Sequence, residues 1–173
     1  IFALTNTEID ELNLQDNERK ILKPYYTSDE LKQYKIINKN KKWIIYSDRS
    51  VVENINDFPN IRTHLDKYAK VMTSDNKPYG LHRARDERFF LGKKIISLRM
   101  TDKPCFTYTD VPCYVTRAHL IIKLKLDDNL YKYLTGIFNS NLCHYWLYFR
   151  GKRKGDRLQI DKELILNIPI CIS

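Results

Sequence analysis

No two of the four cysteines in this 173-residue sequence are spaced as a zinc ribbon or zinc finger requires. Cys105, Cys113, Cys143 and Cys171 read instead as reduced, mostly buried thiols. A zinc site through Cys143 and His144 would have to recruit distant groups, so no metal is expected. Long apolar runs are also missing: none approaches the roughly 18 residues that span a bilayer, so no membrane-spanning helix and no membrane partner is expected. With no secretory segment visible, the expectation is a soluble cytoplasmic protein. Internal repeats, low-complexity tracts and an evident interdomain linker are absent too. The sequence opens at Ile1 without an initiator methionine and reads as the interior of a longer polypeptide.

What is present is a concentrated positive charge. Between Arg83 and Lys103, seven cations (Arg83, Arg85, Arg88, Lys93, Lys94, Arg99, Lys103) oppose Asp86, Glu87 and Asp102, a net of +4. Between Arg150 and Arg157, five cations (Arg150, Lys152, Arg153, Lys154, Arg157) oppose only Asp156, again a net of +4. These two stretches hold nearly all of the formal +9. Charge clustered in this way suggests a polyanionic partner, because neutralising phosphates releases condensed counterions. Arginine adds a bidentate fork that suits phosphate or the edge of guanine. The competing reading is that these side chains only solvate the surface. By contrast the opening stretch is acidic: Glu8, Asp10, Glu11, Asp16 and Glu18 outweigh Arg19 and Lys20, which suggests a surface that packs against something else.

A hydrophobic content of 43% supports one compact core without disulfides. Thr7 to Leu22 has helix-forming residues, and Thr27 with Glu30 makes a capping-box pattern before a short helical segment over residues 29–34. KWIIYS (residues 42–47) is β-branched and aromatic and predicts a strand. Pro59 suits a first helical turn, and Ile61, Leu65, Tyr68, Ala69 and Met72 follow at helical spacing. From Lys93 the pattern shortens to KKIISLR, CFTYT, CYVT and AHLIIKL, which predict an antiparallel sheet of about four strands. Residues 129–149 return to helical spacing as one long or two shorter helices. Leu130, Leu134, Ile137, Phe138, Leu142, Tyr145, Trp146 and Phe149 lie on or near one stripe that should be core or domain contact. The second basic cluster then sits in a turn between Gly151 and Gly155. The expected fold class is α+β: a single compact domain with a small, largely antiparallel sheet flanked by helices.

Taken in order, these blocks resemble the Taq-type C-terminal specificity domain of type IIG restriction-modification enzymes. The resemblance runs from LKPYY (residues 22–26) and the strand at Trp43–Tyr46 through FPNIRTHLDKYAKVM and YGLHRARDERFFLGKKIISLR. It continues through FTYTD and CYVTRAHLIIKL to YLTGIFNSNLCHYW, the glycine-flanked basic turn and LQIDKELILNIPI. It covers about residues 21–170 and lies in the order of the blocks, since no single block is specific. The resemblance implies an acidic helical lead-in over residues 1–20 and a target recognition domain over 21–173. Leu81, His82, Arg83, Arg85, Asp86, Phe89, Lys93, Lys94 and Ile95 match the family's recognition-region blocks.

The resemblance implies a prokaryotic, cytoplasmic DNA-reading module attached to an adenine-specific methyltransferase and a nuclease domain. S-adenosylmethionine and magnesium are then expected for the parent enzyme and no cofactor for this fragment. The methyltransferase NPPY-like segment and its glycine-rich turn do not occur here. The carboxylates and lysines match a nuclease pattern poorly, and no nucleophile stands with a base. No catalytic residue is expected. Asp86 and Glu87 are expected to orient neighbouring arginines. Arg83, Arg85 and Arg88 are the candidates for reading bases in double-stranded DNA. Lys93, Lys94, Arg99, Arg150, Lys152, Arg153, Lys154 and Arg157 are the candidates for phosphate contact. Alternatives are a type I specificity subunit, a methyltransferase without a nuclease, and, from another class, an RNA-binding or protein-interaction module.

Overall fold

The structure, a computed structural model, describes residues 1–37, 42–72 and 78–171. In chain order the first elements are β1 (Ala3–Thr5), α1 (Asn6–Glu11), α2 (Asp16–Lys20), β2 (Leu22–Pro24), β3 (Leu31–Lys32) and β4 (Lys35–Ile36). Next come β5 (Lys42–Ile45), α3 (Arg49–Glu53), α4 (Pro59–Asp66), β6 (Lys94–Leu98), β7 (Met100–Thr101) and β8 (Phe106–Thr109). The last are β9 (His119–Ile122), α5 (Asp128–Phe138), α6 (Asn141–Arg150), β10 (Lys152–Lys154), β11 (Arg157–Gln159) and α7 (Lys162–Leu166). Helices and small antiparallel sheets make the α+β class expected from the sequence. The chain divides into two compact units, Ile1–Tyr25 with Asn40–Glu87, and Tyr26–Lys39 with Arg88–Ser173.

In the first unit, β5 is the middle strand of an antiparallel β1-β5-β2 sheet. The N-terminal helical stretch is two short helices. Thr5 and Glu8 make a reciprocal capping box at α1, and Asn13, at φ 49°, breaks the chain before α2. Leu4, Ile9, Leu14, Ile45, Ile61, Leu65 and Met72 form the core. α4 starts at Pro59 as expected, but its N-cap, Phe58, has no side-chain acceptor. That role passes to Glu18. Its fully buried carboxylate accepts the backbone N–H groups of Asn60 (2.7 Å) and Ile61 (3.0 Å), and of Gln15 at 2.9 Å.

In the second unit, β6 lies between β8 and β9 in an antiparallel sheet. CYVT adds no fourth strand: Cys113 N–H donates to Phe90 and the Tyr114 carbonyl accepts from Tyr26, so its backbone groups serve the chain either side. The Thr27–Glu30 capping geometry forms, with Thr27 N–H donating to Glu30 at 2.7 Å, but no helix follows. The chain instead enters a β3-β4 hairpin through Tyr34 at φ 70°, and the hairpin packs on β8: Tyr34 N–H donates to Phe106 O and Thr107 Oγ1 to Lys32 O. Tyr131, Leu134 and Phe138 of α5 join Ile95, Phe106, Leu147 and Leu158 in the core. Asn139, between α5 and α6, ties this helical layer to the sheet by accepting Phe106 N–H (2.8 Å) and donating to Phe106 O (2.7 Å).

Candidate nucleic-acid interface

The second basic cluster forms a β-hairpin, where a turn was expected. α6 is capped by Ser140, which accepts from Cys143 N–H, and it ends at Gly151, whose N–H donates to Leu147 O at 2.8 Å. A Cβ on Gly151 would lie 2.4 Å from that carbonyl oxygen, so only glycine lets the chain leave the helix so tightly. Gly155 serves differently. At φ 60° it is the first residue of the two-residue turn Gly155-Asp156, the position that a type II′ hairpin reserves for glycine.

Register then sorts the side chains. Lys152 pairs with Gln159, Arg153 with Leu158 and Lys154 with Arg157. Leu158 points into the core, and β7 extends the sheet on the other side of β11. Lys154 and Arg157 are therefore like charges directly opposite one another, an arrangement that costs stability unless an anion intervenes. Arg157 has Asp102 at 3.6 Å, with both side chains mostly exposed. Among the described residues no carboxylate pairs with Lys152 or Lys154.

Next to the hairpin the outer face of α6 is aromatic. Arg153 Cζ lies 4.5 Å from the centre of the Tyr148 ring, a cation–π distance. Phe149 is 5.1 Å from Tyr148 and 4.6 Å from Tyr145, centre to centre. Tyr145 is 65% and Phe149 64% exposed, so this part of the stripe, expected to be core or domain contact, is not core. The break at Asn139-Ser140 restarts the helical phase. Cys143 and Leu147, four residues apart, become the buried face of α6, and Leu142, Tyr145 and Phe149 turn outward. A Ser N-cap in mid-stripe was the signal that could have revealed this.

The first basic cluster is spread over both units. Arg83 and Arg85 belong to the first and Arg88 to Lys103 to the second. Arg83 is exposed and sits at φ 51°, a left-handed conformation unusual for a branched-off long side chain and one that concentrates at functional loops. Half-buried Arg85 has its carbonyl held by the Tyr46 hydroxyl. Both arginines line an open cleft of about 570 Å³ with Tyr46, Asp48, Arg49 and Asp86. Glu87, expected to orient an arginine, pairs with Lys23 at 3.1 Å. Arg88 is exposed, its Cζ 5.6 Å from the Phe89 ring centre.

Lys93 is exposed but engaged by Asp128 at 2.5 Å. That hydrogen bond raises the Lys93 pKa and lowers the Asp128 pKa. Lys94 does not fit the phosphate role. It is fully buried and its ammonium donates to Gly92 O (2.8 Å) and Val111 O (2.7 Å): it opens β6, whose side chains are buried on both faces from Lys94 to Ser97, while exposed Lys93 precedes the strand. Burial pushes its pKa down to about 8. Arg99 is half-buried at the β6-β7 corner, where its backbone bonds Ala118 and Ile160. Arg150, at the end of α6, is exposed.

The four cysteines are free thiols. Cys113 and Cys143 are buried, and burial raises their pKa values to about 12 and about 11. Cys105 is half-buried and Cys171 exposed. Among the described residues no three His, Cys, Asp or Glu side chains group to hold a metal, and no helix is long and apolar enough to cross a membrane.

No family model matches this chain, and no curated protein matches it by sequence. Among solved structures it is similar to the type IIL restriction-modification enzyme MmeI, determined in complex with DNA, with a TM-score of 0.66 at 14% sequence identity. The match covers 96% of this chain and 22% of that enzyme. The fold is thus related to that of a segment of a restriction-modification enzyme.

Proposed function

We propose that this chain is a DNA target-recognition domain of a restriction-modification enzyme of the type IIG kind, reading a short duplex sequence for an attached adenine-specific methyltransferase and nuclease. The carrying observation is that almost the whole chain shares its fold with about a fifth of an enzyme determined with DNA bound. The Taq-type sequence blocks and the like charges of Lys154 and Arg157, opposite one another in the hairpin, point the same way. A type I specificity subunit or a methyltransferase without a nuclease would use the same module.

In this reading the Lys152–Arg157 hairpin grips phosphates and sets the register on the duplex, a contact that carries no sequence information. Arg83, Arg85 and Arg88 supply base contacts, each good bidentate contact being worth ~1–3 kcal/mol of discrimination. S-adenosylmethionine and magnesium belong to the rest of the parent protein.

The test is selection from a randomised duplex library at two salt concentrations, with this chain and with the longer protein that contains it. Enrichment of one short motif, lost on changing Arg83 or Arg85, is expected. Uniform, salt-dependent binding without a motif, even by the longer protein, would overturn sequence reading.

A further inference from the structure

The outer face of α6 has no role in gripping phosphates or reading base edges, yet it exposes apolar surface that folding alone would not retain. Leu142 is 79% exposed, and Tyr145 and Phe149 about two-thirds exposed. The three aromatics are contiguous: Tyr145 meets Phe149, Phe149 meets Tyr148, and Arg153 lies over Tyr148. The line of rings therefore runs directly into the basic hairpin.

That combination narrows the occupant. Lysine is depleted from protein–protein interfaces, whereas this face runs into a hairpin that carries exposed Lys152 and Lys154 either side of Arg153, whose guanidinium lies over the Tyr148 ring. Fully paired duplex DNA offers phosphates but keeps the faces of its bases covered. Unpaired nucleotides offer both a polyanionic backbone and free π-faces, the two chemistries present here, and stacking on aromatics is tolerant of base identity.

We propose that Tyr145, Tyr148 and Phe149 form a stacking platform for unpaired nucleotides of DNA, with Lys152 and Arg153 holding the adjoining phosphates. This rests on the reading of the chain as DNA-binding and adds a second mode to it. The platform serves DNA whose pairing is locally opened beside the site where the hairpin holds the duplex.

The experiment measures fluorescence anisotropy of labelled oligothymidylate, and of a random duplex of the same length, titrated with the full 173-residue chain. Tyr145→Ala and Phe149→Ala should each weaken oligothymidylate binding about ten-fold and leave duplex binding unchanged. Unchanged duplex binding also reports that the exposed substitutions have not unfolded the chain. Tyr145→Trp should retain single-strand affinity, and Lys152→Ala should weaken both ligands. Alanine variants that bind oligothymidylate as the unsubstituted chain does, or that lose both ligands alike, would overturn the platform. A chain that selects a duplex motif but does not bind oligothymidylate also overturns it while leaving target recognition standing. A longer protein that binds neither ligand removes both.

Discussion

Glu18 Oε1 accepts the backbone N–H of Asn60 at 2.7 Å, across 42 residues of sequence, and so caps a helix whose own N-cap residue, Phe58, has no acceptor. The acidic opening stretch contains this residue, so at least one of its charges serves the first unit's own core. Glu18→Ala leaves buried amides at the start of α4 unpaired and should cost about 2 to 3 kcal/mol, measured by urea unfolding.

The pH dependence of that cap has a definite sign. Burial alone would raise the Glu18 pKa. Hydrogen bonds from Gln15, Ile61 and Asn60 outweigh it and hold the carboxyl below its ordinary 4.5. Its contribution is therefore complete above about pH 4.5 and disappears as pH falls through the lower folded value. The stability difference between the unsubstituted chain and Glu18→Gln should shrink over that range.

Lys94 gives the same sign at high pH for the opposite reason, since the fold disfavours its charged form. Its folded pKa of about 8 lies below the ordinary 10.5, so between those values the unfolded chain holds a proton that the folded chain has released. Stability linked to this group rises with pH across about 8 to 10.5. In denaturant titrations the stability of the unsubstituted chain relative to Lys94→Met should climb over that window. A flat difference would place the ammonium in contact with water.

Gly151 and Gly155 should differ in cost although they flank the same hairpin. Gly151→Ala drives a Cβ into the backbone oxygen of Leu147, which no rotamer change relieves, and should destabilise by about 2 to 3 kcal/mol. Gly155→Ala meets open space and carries only the left-handed φ, partly offset by a stiffer unfolded chain, for a cost of about 1 kcal/mol. Thermal unfolding of both variants checks the order.

On DNA, Lys152→Ala or Lys154→Ala should weaken binding to every duplex alike and reduce the salt slope by about 1. Arg83→Ala should lower preference at particular base pairs. Equal losses on selected and random duplexes for both classes would remove Arg83 from base reading.

Asn139→Ala should cost about 2 kcal/mol, because it strands the buried Phe106 N–H and removes a donor from the Phe106 carbonyl. Circular dichroism during urea unfolding would follow it.

Local chemistry was legible before any fold was known. The β-branched runs at β5, β6, β8 and β9, Pro59 at a helix start and the two distinct glycines around the basic cluster all act through their own backbone or nearest neighbours, and composition alone located both charge clusters. The Thr27–Glu30 capping box was legible too, yet it opens a hairpin, since the β8 backbone offers the following residues better partners than a helical turn.

Tertiary packing decided which faces those elements show. Lys93 and Lys94 are adjacent and chemically alike, but Lys94 lies within β6, where packing covers the side chains from Lys94 to Ser97, and Lys93 stands just before the strand, exposed. Leu147 and Phe149 belong to one apolar run, and the reset at Ser140 sends the first to the core and the second to solvent. Periodicity records that a face exists. Whether that face is covered depends on elements distant in sequence, whose contacts a local pattern does not encode.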